Sequence, residues 1–225
     1  MIRHVREALR QQNWLAYFIE LIIVILGITI AYQLNLYQQE RAIKQERRLL
    51  IENLQLENSS NIHELDTVMQ HFISQPEKLS QLVRLLQSAD APADSVQDLL
   101  YLLYSWHYYT LNTGYLATYI NGNVKVDDEL TGELMTLQYN YNELKTAADL
   151  AERFRLDNIH NYLFDVIDIT NHDEFRDRKV LSNVGLINRA SILVGIENEH
   201  RYKYRMALEQ AQTLDSMLTA KLAAY

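Results

Sequence analysis

The feature that most constrains this chain is a long apolar stretch near its start, WLAYFIELIIVILGITIAYQLNLY, at residues 14–37. Up to Tyr32 it is interrupted only by Glu20, Gly27 and Thr29. A helix over residues 14–32 would rise about 28 Å, which matches the hydrocarbon core of a bilayer. Aromatic residues gather at both ends of the stretch, as they do at the two membrane interfaces. The stretch therefore predicts a single transmembrane anchor.

The stretch has two other interpretations, a cleaved signal peptide and a buried helix. A secretory signal peptide would use Arg3, Arg6 and Arg10 as its basic start and Thr29 and Ala31 as its cleavage site. However, aromatic residues and a helix-compatible sequence continue beyond the cleavage position, which favours an uncleaved helix. A buried helix of a soluble protein would need other strongly apolar segments to surround it, and the sequence contains none.

The same stretch also carries a family resemblance. It contains an acid, an apolar run, a Gly-Ile pair, an Ala-x-Gln and an asparagine, at Glu20, Gly27, Ile28, Ala31, Gln33 and Asn35. In these residues it resembles a bacterial family of single-pass membrane proteins, found chiefly in Bacteroidetes-type genomes. In that family the anchor motif begins with Gly-Glu and ends with Asn-Asn-Trp. The chain departs from that pattern at Ile19, Leu36 and Tyr37. The resemblance covers the anchor and implies a helical C-terminal domain, but no activity.

Composition favours an all-α fold. The chain of 225 residues has only 6 Gly and 2 Pro, which suits long helices. It has no cysteine, so disulfides, thiolate metal sites and thiol catalysis are excluded. Its net charge of −8 argues against nucleic-acid binding. We predict a basic tail at 1–13, the anchor at 14–37, and an antiparallel bundle of long helices at 38–225 that continues from the anchor.

Helical periodicity continues past the anchor. No Pro or Gly occurs between Gln38 and Ile73, and one helix face is marked by residues at steps of four and three: Asn58, Ile62, Leu65, Met69 and Phe72. The Asn58-Ser59-Ser60-Asn61 cluster is expected to loosen or break this helix. Pro76 then marks the start of a short helix that ends near Gln87.

A helix from Val96 to about Tyr109, capped by Asp94 or Ser95, should be apolar on two sides. One face carries Leu99, Leu100, Leu103 and Trp106; the other carries Tyr101, Tyr104 and Tyr108. Such a helix is either central to its domain, the reading we favour, or covered by a partner. The three tyrosines are therefore a candidate partner surface.

Two long helices should complete the bundle. The first begins at a cap on Asp127 or Asp128 and reaches about Ile169; the second runs from about Arg178 to Ala223. Their apolar positions are Leu130, Leu134, Leu137, Leu144, Ala148, Ala151 and Phe154 in the first, and Val180, Val184, Ile187, Ala190, Val194, Leu208, Ala211 and Leu218 in the second. Because a short polar break joins them, they should pack antiparallel.

The sequence shows no catalytic motif: GxGxxG, P-loop, HExxH and GxSxG are all absent. One metal-like pattern exists, Glu-x-x-His at Glu197 and His200, with Asp-x-x-His at Asp157 and His160. In a helix this spacing puts carboxylate and imidazole on one face, as in di-iron bundles. Glu197 and His200 also fall on an apolar stripe. Such a site needs two further carboxylates that nothing marks, so we expect no metal, no cofactor and no catalysis.

Three residues of the anchor suggest association with other helices. Glu20 lies about 9 Å inside Trp14 along a helix, where a carboxylate is costly and tends to face a partner or water. Alternatively, the span begins near Leu21 and leaves Glu20 at the head groups. Gly27 and Ala31 form a small-xxx-small pair that permits close helix approach.

These features predict a membrane-anchored interaction or scaffold protein, either an accessory subunit or a self-assembling component of a membrane complex. Its expected partners are the lipid bilayer and other membrane helices, from its own copies or foreign subunits. Lys and Arg nearly balance across the anchor, and a short tail usually stays inside. We therefore expect the bacterial inner membrane, with the C-terminal domain in the periplasm. The alternatives are a membrane-bound metal-binding protein or enzyme using Glu197 and His200, and a ligand sensor.

Overall fold

The computed structural model describes residues 14–88, 92–105, 108–122, 127–164, 167–168, 174–175 and 183–225. The helices are α1 (Trp14–Phe72), α2 (Gln75–Gln87), α3 (Ala93–Tyr104), α4 (Gly114–Asn121), α5 (Asp128–Phe154), a π-helical segment (Arg155–His160), α6 (Asn161–Phe164) and α7 (Val184–Ala223). Two strands of two residues each, β1 (Ile167–Asp168) and β2 (Glu174–Phe175), pair antiparallel with Ile167 opposite Phe175. Apart from this short ladder, all regular secondary structure in the described chain is helical, which confirms the predicted all-α class.

The chain divides into two units, one ending at Leu49 and the other beginning at Leu50. Within the first unit, every described side chain over residues 18–35 is exposed. In the described chain, the helix that begins near the N-terminus is the one long and apolar enough to cross a membrane, judged by its length and composition. The predicted tail at 1–13 lies outside the described residues.

The second unit contains two apolar cores. The first core comes from the end of α1, α4, α5 and the C-terminal part of α7: Ile51, Leu54, Leu65, Val68, Phe72, Leu116, Tyr119, Leu130, Leu134, Leu137, Tyr141, Leu144, Tyr204, Ala207, Leu208, Ala211, Leu214 and Leu218. The second core comes from α2, α3, the π-helical segment, α6 and the start of α7: Leu79, Leu82, Leu86, Val96, Leu100, Leu102, Leu103, Ile159, Leu163, Leu186, Ala190 and Leu193. Helix α7 contributes to both cores.

Helices α5 and α7 pack against each other along much of their length. Lys203 Nζ lies 2.9 Å from Glu143 Oε2, and Gln210 Nε2 lies 2.5 Å from Glu133 Oε2. Residue numbers fall on α5 as they rise on α7, so these two helices run in opposite directions. At the start of α5 the Asp127 side chain accepts a hydrogen bond from the Leu130 N–H at 2.7 Å, the cap that the sequence predicted.

The predicted break at Asn58-Ser59-Ser60-Asn61 is wrong, because α1 continues through it. Asn58 and Asn61 are buried, and the side-chain NH₂ group of each donates a hydrogen bond to a backbone carbonyl. Asn58 Nδ2 donates to the Ala211 carbonyl at 2.9 Å, and Asn61 donates to the Asn112 carbonyl at 2.7 Å. Amides that would weaken an isolated helix therefore fasten α1 to its neighbours.

Several helix ends differ from the predicted ones. Helix α3 ends at Tyr104, so Tyr108 is not helical, and Trp106 lies outside the described residues. Helix α5 gives way to the π-helical segment after Phe154 instead of reaching Ile169.

The last helix also starts later than predicted. It begins at Val184, after Asn183, whose side chain accepts a hydrogen bond from the Gly185 N–H at 2.7 Å. The predicted start at Arg178, the apolar position Val180 and the polar break at 171–173 lie outside the described residues. The buried stripe of α7 follows Leu186, Ala190 and Leu193, whereas Val184 is exposed.

Candidate functional site

A layer of buried polar side chains separates the two cores. Along α7 the second core ends at Leu193 and the first begins at Tyr204. Glu197 and His200 lie between them and are 0 % and 3 % exposed. Arg155, the first residue of the π-helical segment, is 1 % exposed and meets them from the α5 side. We call Arg155, Glu197 and His200 the charged layer.

The charged layer is built around one ion pair. Arg155 Nη1 lies 2.5 Å from Glu197 Oε1, and the same nitrogen lies 3.5 Å from the Ala151 carbonyl oxygen. His200 Nδ1 lies 3.5 Å from Glu197 Oε2. Within the described residues, Nε and Nη2 of Arg155 and Nε2 of His200 have no hydrogen-bond partner. Arg155 therefore commits one nitrogen to Glu197 and leaves one edge of its guanidinium unused.

Glu197 is held in its ionised form. Burial alone would raise the pKa of its carboxyl, but the contact with His200 and the charge of Arg155 outweigh burial and lower the pKa below its ordinary value. A buried carboxylate without such neighbours would be neutral instead. Glu197 therefore balances the Arg155 charge inside the fold.

The π-helical segment begins at the arginine itself. On α5 the buried face passes through Ala147 and Ala151, and Arg155 follows at the same step of four. A π-helical turn inserts an extra residue and reorients the side chains that follow it, and such turns occur often at functional sites. Here the turn leads from the first core to Ile159 and Leu163 in the second core.

A cavity of about 440 Å³ opens beside the charged layer. All three residues of the layer line it, and so do the aromatic side chains of Phe72, Tyr108, Tyr109 and Tyr141. Its volume falls in the range of small-molecule sites, which combine an apolar lining with a few fixed polar groups. The arrangement therefore suits the binding of a small ligand.

The outer part of the cavity lining combines polar and charged side chains. Lys145 and Asp149 are exposed, and Glu152 is half-buried. We call these three residues the rim. With the charged layer, the lining carries two basic and three acidic side chains, in addition to His200.

Aromatic rings surround His200. The Phe72 ring meets the His200 ring edge-on at a centroid distance of 4.9 Å, and Tyr109 meets Tyr204 edge-on at 5.6 Å. Burial, with a smaller contribution from Asp149, raises the pKa of the Tyr109 hydroxyl, which keeps it a hydrogen-bond donor. Among the described residues, the Tyr109 and Tyr204 hydroxyl groups have no hydrogen-bond partner.

The cavity wall at residues 108–113 is fastened to α1 by side chains. Asn61 Oδ1 accepts from the Asn112 N–H at 2.8 Å, while its Nδ2 donates to the Asn112 carbonyl at 2.7 Å. Glu64 Oε1 accepts from the Thr110 N–H at 3.3 Å. One helix face thus supplies the backbone partners that this non-helical segment lacks.

Glu57 belongs to the same face of α1 and holds the start of α4. Its carboxylate oxygens accept from the Tyr115 N–H at 2.8 Å and the Leu116 N–H at 2.9 Å. These are N–H groups of the first helical turn, which have no partner within their own helix, and a negative charge there is favourable. Glu57 therefore caps α4 from another helix.

The structure brings together part of the predicted metal pattern. Glu197 and His200 share the buried face of α7, as predicted from the spacing. Glu197 faces the Arg155 guanidinium, whose positive charge opposes a second cation. Asp157 is exposed, and His160 packs edge-on against Phe164. The described residues contain no group of three or more His, Cys, Asp or Glu that could hold a metal ion.

The predicted association residues of the anchor all lie on α1 and are exposed. They are Glu20, Gly27 and Ala31. A Cβ atom added at Gly27 would meet nothing within 4 Å. This face of the helix is open to close approach by another helix.

The three tyrosines of the predicted partner surface have different surroundings. Tyr101 is 44 % exposed, whereas Tyr104 packs against the second core. Tyr108 is 71 % exposed and lies beyond the end of α3, where it lines the cavity. They do not form one helix face.

Arg155 is the site residue that sequence reasoning missed. Its signal was its position four residues after Ala151, on a face that is otherwise apolar. No family model, curated protein or solved structure matches the chain. The resemblance to a Bacteroidetes-type family stays a prediction.

Proposed function

We propose that this chain is a membrane-anchored helical interaction protein that works as an accessory subunit or a self-assembling component of a complex in the bacterial inner membrane. In this proposal residues 14–37 cross the bilayer once, with the tail in the cytoplasm and the remaining chain in the periplasm as an antiparallel bundle of long helices. No catalysis is assigned to it.

The observation that supports the proposal is the exposure of α1 over residues 18–35. Exposed apolar side chains in this stretch include Leu21, Ile23, Ile25, Ile28 and Ile30. Burying one such side chain is worth roughly 1.5–3 kcal/mol, so a run of them exposed to water would be unstable. Coverage of the stretch by lipid, by other helices or by both would remove this cost.

Glu20 supports a helix partner in addition to lipid. A carboxylate within an apolar span is stabilised by a partner group or a water-filled cavity. Gly27 and Ala31 lie close to the same helix face, seven and eleven residues further on, and allow another helix to approach closely. We propose that these three residues form the contact with that helix.

The test is the mass and composition of the complex after gentle detergent extraction from its native membrane. The unmodified chain is compared with Glu20→Gln and Glu20→Leu, and Ile22→Gln is the matched control because it places an amide on the opposite side of the helix. We expect co-purifying subunits, or a defined homo-oligomer, that both Glu20 variants weaken and Ile22→Gln retains.

A lone chain in mild detergent, or a complex unchanged by both Glu20 variants, would contradict the proposed contact. Metal binding through Glu197 and His200 is disfavoured, because the buried Arg155 charge already balances the charge of Glu197.

A further inference from the structure

One exposed face of α1 runs from the anchor into the segment that follows it. Its residues recur at alternating steps of three and four, the spacing of the contact line between two helices of a coiled coil. We call this face the seam, and it consists of Ile28, Ala31, Asn35, Gln38, Ala42, Gln45 and Leu49. With about 100° of rotation per residue, these positions fall within about 100° of the helix circumference. All of these side chains are exposed, Leu49 by 51 %.

The seam continues the contact proposed for the anchor. Ala31 lies on the seam, and Glu20 and Gly27 lie along one edge of it. Because α1 is one helix from Trp14 to Phe72, the face keeps its direction beyond the anchor. A helix that contacts α1 within the bilayer can therefore stay in contact with it above the head groups.

The charges beside the seam are complementary to those of a second copy of the chain. In the seven-residue repeat of a coiled coil, lettered a to g, the a positions here are Ile28, Asn35, Ala42 and Leu49. Arg41 then occupies a g position, and Glu46 occupies the e position five residues later. In a parallel helix pair, these are the two positions that face each other across the seam. Arg41 of each copy therefore meets Glu46 of the partner subunit, and the symmetric pair makes this contact twice.

Neither of these charges has an opposite charge at a helical step of three or four on its own helix. Those neighbours are Tyr37, Gln38, Lys44 and Gln45 for Arg41, and Ala42, Ile43, Leu49 and Leu50 for Glu46. The Arg41 guanidinium carbon lies 5.5 Å from the centre of the Tyr37 ring, and both charged side chains are exposed. Both are therefore accessible to a charge on another helix.

Asn35 indicates how many helices meet and in which register. It is polar, whereas the other a positions of the seam are apolar. A single asparagine at an a position fixes the register and the number of strands, because its amide pairs with the same amide of the other helix. Copies that cross one membrane in the same orientation have parallel α1 helices, which this pairing requires.

The seam selects the partner more than it supplies affinity. Gln38 and Gln45 occupy its d positions, so it buries less apolar surface than a coiled coil with leucine there. Two such helices would associate weakly from solution. A shared membrane confines both chains and raises their effective concentration, so a weak self-complementary contact is sufficient.

We infer that the partner of α1 is a second copy of this chain, joined to it in a parallel, in-register pair along the seam. The inference rests on the proposed function, whose membrane crossing it requires, and it selects self-assembly from the two forms that the proposed function allows.

The test is disulfide cross-linking of the full chain in isolated native membranes, since the chain has no cysteine of its own. Ala42→Cys places a thiol on the seam. Ile43→Cys is the matched control, because it lies at the same depth on a neighbouring face that is more apolar, and Glu40→Cys lies on the far side. After oxidation with copper phenanthroline, we expect Ala42→Cys to run mainly at twice the mass of the chain in non-reducing denaturing electrophoresis. Both controls should run mainly as single chains.

Charge reversal tests the contact between Arg41 and Glu46. In the Ala42→Cys chain, either Arg41→Glu or Glu46→Arg alone places like charges opposite each other, and each should lower the cross-linked fraction at least about threefold. The two reversals together should restore it. Lys44→Glu makes the same change of charge on the far side of α1 and should leave the fraction unchanged.

The outcomes separate this inference from the proposed function. A cross-link at Ile43 in place of Ala42, or a double reversal that fails to restore the cross-link, would overturn the paired seam and leave the membrane crossing intact. Absence of the Ala42 cross-link would overturn the second copy, and foreign subunits that co-purify in that case would retain the accessory-subunit form of the proposed function. Release of the chain from membranes by alkaline carbonate would contradict the crossing itself, and this inference with it.

Discussion

Arg155 and Glu197 are charged residues at positions of an otherwise apolar helix face, which the helical pattern places inside the fold. Removing an ion from water costs several kcal/mol, and the pair recovers this only while both partners are present. A buried ion pair is thus a weak source of net stability, but removing one partner leaves an uncompensated charge in the interior. We therefore expect single substitutions in the charged layer to lower the free energy of unfolding strongly.

Stability should fall in acid through Glu197. The pKa of this carboxyl is lowered in the folded chain, so its contribution is complete above the ordinary value of 4.5 and is lost as pH falls below that value through the folded-state pKa. We expect urea unfolding of the unmodified chain to show this loss, and Glu197→Gln to cost about 3–5 kcal/mol at neutral pH.

The matched control is the double variant Arg155→Met with Glu197→Gln. It removes both charges, so it should cost less than the two single variants together and should lose the part of the acid response that comes from this pair. Asp127 and Glu77, whose pKa values are also lowered, remain in every variant. Equal acid responses in the unmodified chain and the double variant would contradict the assignment.

The residues of the charged layer differ in how far the sequence predicts them. The Glu-x-x-His spacing places Glu197 and His200 on one helix face, and the flanking Leu193 and Tyr204 place that face inside. Arg155 was not predicted, because a single arginine on an apolar stripe ordinarily extends its long side chain to water. Its burial depends on a partner more than forty residues away and on a π-helical turn that has no local sequence signal.

At the scale of elements, α1 is the support for the cavity wall. Its Glu57, Asn61 and Glu64, at helical steps of four and three, all accept hydrogen bonds from the backbone of residues 110–116. These bonds replace those of a regular helix or strand and set the position of Tyr108 and Tyr109. From the sequence alone, this polar face of α1 would be taken for a solvated surface. In the structure it binds the backbone of another segment.

Asn61→Asp should therefore destabilise the domain. Aspartate keeps the shape and the acceptor for the Asn112 N–H, but it loses the donor and turns a carboxylate oxygen toward the Asn112 carbonyl. We expect a loss of about 1–3 kcal/mol in the free energy of unfolding, measured with urea and circular dichroism. Ser60→Asp adds the same charge at an exposed neighbour and should change it by less than about 0.5 kcal/mol. Equal losses in both variants would show that charge on α1, and not the hydrogen-bonded pair, is responsible.

Sequence periodicity predicts which segments are helical, but it predicts the ends of the helices less well. The starts of α5 and α2 are predicted well, because Asp127 caps the first turn of α5 and Pro76 lies in the first turn of α2. The ends of α3 and α5 were placed too late, since Tyr108 and Ile169 continue the apolar pattern without any local stop signal. The continuity of α1 through Asn58 and Asn61 depends on contacts with Ala211 and Asn112, which are distant in sequence.

At the scale of the whole molecule, the chain consists of an exposed apolar helix and a folded unit with its own two cores. The folded unit buries its apolar side chains, whereas the stretch at 18–35 exposes them, and that contrast is the reason for placing the stretch in a membrane. Composition and length were enough to predict the anchor and the helical class. They say nothing of the charged layer and its cavity, which depend on contacts between distant residues.

The most direct test of the proposed membrane crossing is labelling of single cysteines, which the cysteine-free chain makes unambiguous. In spheroplasts exposed to a membrane-impermeant maleimide, Ser216→Cys on α7 should react before lysis and Gln11→Cys in the tail only after lysis. Gly27→Cys should stay unreactive in both conditions. Reaction of Gln11→Cys and Ser216→Cys from the same side would contradict a single crossing, and the reverse pattern would contradict a periplasmic domain.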